Sequence, residues 1–160
     1  AKHTPARQPV NRVHVDQTPN AALSRVRLHV TDPAEAEALE NARYRIVNVW
    51  RPITAEPIQS FPLAYASASS VDDNDLVRVQ HRYPNRTSET MSVKFNEGQK
   101  WYYWSGMTGD ERLLLKCSDS KGYKDGDVAQ MVPHTAFDDE RTPEGARPRE
   151  SIEVRALVFG

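Results

Sequence analysis

The 160-residue chain is 38% hydrophobic and 27% charged, enough to bury one modest core and too short for two typical domains. Twenty-one Lys plus Arg against twenty-two Asp plus Glu leave a formal charge of -1, so no broad field exists to hold nucleic acid or an acidic membrane surface. One cysteine, Cys117, excludes an internal disulfide framework and a Cys-rich zinc site, so a metal centre would rest on His and carboxylates.

The opening residues through Pro9 are polar and carry no apolar signal core, and no stretch approaches the roughly 18 apolar residues of a membrane span. The expected location is the cytoplasm. Val13 to Asp16 alternates as a half-buried strand does, which puts His14 and Asp16 on one face, and Gln17-Thr18-Pro19-Asn20 breaks it. Helical spacing over Ala21 to Val30 is ended by Asp32-Pro33, and an Ala/Glu-rich helical turn follows through Leu39. Tyr44 to Pro52 is rich in β-branched and aromatic residues and reads as a core strand. Phe61 to Ala66 is a short strand, Ser67 to Asp75 a polar loop, and Leu76 to Arg82 alternates again. Met91 to Phe95, Lys100 to Trp104, Arg112 to Lys116, Val128 to Pro133 and Ser151 to Phe159 complete the strands, separated by glycine-bearing turns that include Gly126. About eight strands with one helical insert predict a mainly β domain, a barrel or sandwich. The glycines are isolated, so no phosphate-binding loop is present.

Two residues spaced by two on a strand can hold one metal from the same side, which makes His14-x-Asp16 a candidate ligand pair. Such a pair arises by chance on the order of 0.7 times in a chain of this composition, and a His hydrogen-bonded to a neighbouring carboxylate is the plainer reading. His134, following the apolar run Val128 to Pro133, could complete a two-His, one-carboxylate set, the arrangement that leaves iron positions open for co-substrate and oxygen. His3 at a fraying terminus, His29 on the helix and His81 beside arginines have ordinary explanations. On the last strand, Arg149 and Ser151 share a face, and a guanidinium fork beside a hydroxyl suits bidentate capture of a carboxylate. Arg86-Thr87-Ser88 repeats that pattern, so the order of the motifs carries the information: HxD early, His late, then R-x-S on the terminal strand.

That order, together with the blocks Val13 to Gln17, Ile46 to Ile53, Trp101 to Tyr103, Asp110 to Lys116 and His134 to Phe137 through Pro148 to Arg155, resembles the CmcJ/AsaB/NvfI-like hydroxylase/desaturase family of fungal and bacterial natural-product pathways. The resemblance runs from His14 to Phe159. It implies a double-stranded β-helix (jelly-roll, cupin-like) and a non-haem Fe(II), 2-oxoglutarate-dependent oxygenase, hydroxylase or desaturase, acting on a small-molecule natural product. It implies His14, Asp16 and His134 as iron ligands, Arg149 with Ser151 as the oxoglutarate anchor, and Asn48, Trp50 and Tyr102 as substrate-pocket candidates. Trp50 is equally explained as a core residue, and Arg51 and Lys116 as solvated or ion-paired charges. Family members carry a portion ahead of the HxD strand, so residues 1–160 are expected to form one oxygenase-like domain lacking that portion, with sheet edges open to self-association. The rival readings are an inactive β-barrel binding protein that keeps the fold, and a hydrolase using the same triad for zinc.

Overall fold

The computed structural model describes residues 8–122 and 127–160; His3 and Gly126, weighed above, lie outside them. Among the described residues, nine strands and two helices follow in the order β1 (His14–Val15), α1 (Pro19–His29), α2 (Pro33–Asn41), β2 (Tyr44–Pro52), β3 (Leu63–Ala66), β4 (Leu76–Tyr83), β5 (Arg86–Val93), β6 (Trp101–Tyr103), β7 (Leu113–Asp119), β8 (His134–Ala136) and β9 (Ser151–Phe159). The mainly β expectation with a helical insert is met. Six strands form one sheet in the order β4-β5-β1-β8-β3-β6, and three form another in the order β7-β2-β9. Among the described residues all pairings are antiparallel, and the sheets do not close into a barrel.

The break at Gln17 to Asn20 is a helix start. Thr18 is the N-cap of α1, its hydroxyl accepting the Ala21 amide at 3.1 Å, and Pro19 occupies the first turn, where its missing N–H costs nothing. Asp32 and Pro33 repeat the device for α2, with Glu35 N–H donating to Asp32 Oδ1 at 2.7 Å. The helices cover one end of the three-stranded sheet, where Ala22, Val26, Ala36, Tyr44, Ile46 and Cys117 form a buried cluster. β2 alternates buried and half-buried residues along all nine positions, so Tyr44, Ile46, Asn48, Trp50 and Pro52 face inward. A second cluster joins Val15, Met91 and Met131, and a third joins Trp50, Ile58 and Met107.

Three expectations are corrected. Residues 127–133 contain no strand; the strand is β8, which begins after Pro133. Pro133 has no N–H for a ladder, although its carbonyl accepts from Ala66, and Val132 makes one bond to the Lys116 carbonyl. The expected strand Met91 to Phe95 is the end of the longer β5, which pairs with β4 through a two-residue turn at Pro84-Asn85. Its first half, Arg86 to Thr90, is polar on both faces because both are partly exposed, so no alternation marks it, while Phe95 lies beyond the strand and is exposed. The loop from Ser67 to Asp75 contains two short 3-10 turns, Ala68–Ser70 and Asp73–Asp75. Among the described residues, no helix is long and apolar enough to cross a membrane.

Candidate metal centre

β1 lies between β5 and β8, and its antiparallel register sets His14 directly opposite His134. Residues opposite one another in such a pair project to the same face, and Asp16, two residues along, shares it. The two imidazole rings sit with centroids 4.5 Å apart, tilted by 58°. Each is oriented by a backbone carbonyl two residues earlier in the chain: Nδ1 of His14 bonds Arg12 O at 2.8 Å and Nδ1 of His134 bonds Val132 O at 3.1 Å. A carbonyl only accepts, so each Nδ1 is the donor, and in a neutral ring the lone pair then lies on Nε2. Those Nε2 atoms face Asp16, at 3.6 Å from Oδ1 for His14 and 3.8 Å from Oδ2 for His134. One ligand atom from each of His14, Asp16 and His134 falls within 4.8 Å of the other two.

The electrostatics suit cation binding. Burial works to raise the Asp16 pKa, but His134, the Arg155 guanidinium, His14 and the Asn48 hydrogen bond outweigh it and hold the carboxyl below the usual range. Burial pushes the His134 pKa down against the pull of Asp16, so its imidazole is neutral at pH 7 and its Nε2 is available. The Cys117 thiol, its pKa raised by burial, stays protonated, with Sγ 3.4 Å from Asp16 Oδ2.

A cleft of about 330 Å³ opens on this cluster and is lined from both sheets, with Trp50, Arg149, Ser151 and Glu153 facing the two histidines. Arg149 precedes β9. Its guanidinium lies 5.2 Å from the Trp50 ring centre and donates from Nη1 to the Phe61 carbonyl, while its Nε is buried without a partner. Burial brings its pKa down to about 10, so it remains a cation at neutral pH. Among the described residues no acidic side chain pairs with it. A half-buried guanidinium with an orphaned donor and no acidic partner has the charge and the free N–H that a carboxylate ligand would need. Ser151 starts β9 opposite Pro52 and lines the same cleft.

Family membership follows from comparison with known proteins. The model of the family described as oxidoreductase/YMDC permease-like domain matches residues 1–159. The chain belongs to that family. Within reach of it, the hydroxylase/desaturase asaB of Aspergillus flavus is 42% identical over 138 residues, covering 78% of this chain and 59% of that protein. The Fe(II)/2-oxoglutarate-dependent dioxygenase nvfI of Aspergillus novofumigatus is 38% identical over 160 residues, covering 96% and 53%. A solved structure, the iron and alpha-ketoglutarate-dependent endoperoxidase NvfI, superposes with a TM-score of 0.86 at 34% identity, covering 100% of this chain and 57% of that one. The resemblance seen in the sequence is borne out, and so is the cupin-like fold class, as an open pair of sheets. The chain spans little more than half the length of these relatives.

Of the residues singled out in the sequence, His14, Asp16, His134, Arg149, Ser151 and Trp50 meet at one cleft. Trp50 is both core and cleft wall, packing on Ile58 and Met107 beneath Arg149. Asn48 is fully buried and donates to Asp16 Oδ2 at 2.7 Å instead of lining the cleft. Tyr102 lies on β6, two strands from His134, half-exposed and outside the cleft lining. Lys116 forms an ion pair with Asp119, and Arg51 donates to the Gly109 carbonyl, as a structural reading of both allowed. Sequence reasoning missed Arg155, which bonds Asp16 Oδ2 at 2.8 Å, and Phe61, whose φ of 48° belongs to a turn that offers its carbonyl to Arg149. Arg155 was legible in principle, since residues 149, 151, 153 and 155 alternate onto one face of the strand.

Proposed function

We propose that this chain carries the iron centre and oxoglutarate anchor of an oxygenase that hydroxylates or desaturates a small-molecule natural product. The observation that carries the reading is that two imidazole Nε2 atoms and one carboxylate converge, with an arginine that has no acidic partner on the same cleft. Two imidazoles and a carboxylate are the donor set of a non-haem Fe(II) facial triad, so the residues fit the group. His14, Asp16 and His134 would hold Fe(II), and Arg149 with Ser151 would hold the distal carboxylate of 2-oxoglutarate. Fe(II) with 2-oxoglutarate and oxygen supplies the oxidising power needed to break an unactivated C–H bond.

The protein's share is positioning. The Arg12 and Val132 carbonyls fix the histidine tautomers before metal arrives, and Trp50 stacks under the Arg149 fork so that it meets a carboxylate without reorganising. Leu63, Leu115 and Trp50 supply the apolar part of the cleft wall. Residues 1–160 act in this reading as one oxygenase-like domain, in the cytoplasm, with the buried, unbridged Cys117 in keeping with a reducing compartment. The outer edge of β9, where Ile152 and Val154 are exposed, supports association between copies.

The test is succinate formation from 2-oxoglutarate under Fe(II), in the wild type and in His14→Ala, His134→Ala and Arg149→Met. Turnover falling to background in both histidine variants, and an oxoglutarate KM raised at least about 30-fold in Arg149→Met, is the expected result. Stoichiometric Fe(II) binding with no succinate formed would instead support the inactive binding protein. Unchanged turnover in either histidine variant would remove that residue from the site.

A further inference from the structure

The two oxygens of Asp16 have different surroundings. Oδ2 accepts from Asn48 Nδ2 at 2.7 Å and from Arg155 Nη2 at 2.8 Å. Oδ2 also lies 3.4 Å from the Cys117 thiol and 3.8 Å from His134 Nε2, whereas Oδ1 lies 3.6 Å from His14 Nε2 and takes no hydrogen bond among the described residues. Asn48 on β2 and Arg155 on β9 are cross-strand partners, and Arg155 Nε donates to Asn48 Oδ1 at 3.0 Å. The three side chains therefore close a ring in which each bond fixes the next. The amide of Asn48 cannot flip without losing both of its bonds, and a buried asparagine in an inward-facing strand row needs such partners.

We infer that Asn48 and Arg155 are positioning residues that make Asp16 a single-oxygen metal ligand, presenting Oδ1 and withholding Oδ2. The inference rests on the metal-centre reading above. The two hydrogen bonds, one of them from a cation, take the lone-pair positions of Oδ2, whereas those of Oδ1 are free for a metal. A carboxylate released from them can turn and chelate through both oxygens, filling a coordination position that a facial triad leaves open. The two residues come from the three-stranded sheet and Asp16 directly follows β1 of the six-stranded one, so the ring also sets the candidate ligand between the sheets.

Water-proton relaxation in the Mn(II)-loaded protein reads the number of waters on the metal, which a purely structural contribution would leave alone. The wild type should show the enhancement of three open positions, and Asn48→Leu/Arg155→Met, folded by circular dichroism, should lose about one third of it as Asp16 takes a second position. Arg155→Lys keeps a cationic donor for Oδ2 and should stay near the wild-type value. Asn48→Ser and Arg155→Met, made singly, should each show part of the loss and serve if the double variant does not fold. Full relaxation enhancement in the double variant, or in both single variants, with one Mn(II) bound overturns the positioning role and leaves the metal centre standing. A wild type that binds no Mn(II) overturns the metal centre itself.

Discussion

Two carboxylates, Asp16 in the candidate metal centre and Asp119 at the end of β7, are held below the usual range by neighbouring cations and hydrogen bonds. Asp119 is wholly buried at the end of β7, where burial works to raise its pKa. Hydrogen bonds from Arg43, Lys116 and the Lys121 amide outweigh that and bring it down to about 2. A folded-state pKa below the unfolded value of 3.8 means that this carboxylate stabilises the fold at pH values above about 4. The contribution is lost as pH falls from there toward about 2. Asp119→Asn should therefore lower stability at pH 7 by about 2 kcal/mol, through the charge-assisted bonds to Arg43 and Lys116. It should also flatten the fall in thermal midpoint between about pH 4 and pH 2, measured by differential scanning calorimetry. A variant as acid-sensitive as the wild type would assign that sensitivity to other groups.

At the scale of elements, the link between β1 and α1 matters most for the site, because Asp16 lies two residues before the helix cap. The Thr18 hydroxyl accepts the Ala21 amide and donates to Glu89 Oε2 at 2.7 Å, so one buried side chain starts α1 and ties it to β5. Thr18→Ala removes both bonds and should cost about 1–2 kcal/mol in urea denaturation, whereas Thr18→Ser should retain most of the stability. Elements with a strong local signal were legible in the sequence: both Pro-started helices, the alternating β2 and the β9 strand. β8 and the first half of β5 were not. β8 is three residues long and is defined by its partners β1 and β3, and β5 carries polar side chains on both faces, so neither has a periodicity of its own. Tertiary pairing makes them strands, and a single sequence does not display pairing.

At the scale of the molecule, the centre is assembled between two sheets. The six-stranded sheet brings His14 and His134, the three-stranded sheet brings Asn48, Trp50, Arg155 and, just ahead of β9, Arg149, and Asp16 bridges them. The three candidate ligands and the candidate anchor could be singled out from the sequence because each sits in a short motif whose order along the chain is informative. Asn48 and Arg155 could not be given their roles, because what distinguishes them is a cross-strand register and a hydrogen bond over 139 residues of separation. The most direct measurement is a crystal structure of the protein loaded anaerobically with Fe(II) and 2-oxoglutarate. Iron should be bound by His14 Nε2, Asp16 Oδ1 and His134 Nε2, with the distal carboxylate of oxoglutarate on Arg149. Iron bound elsewhere, or a dicarboxylate that leaves Arg149 free, would contradict that arrangement.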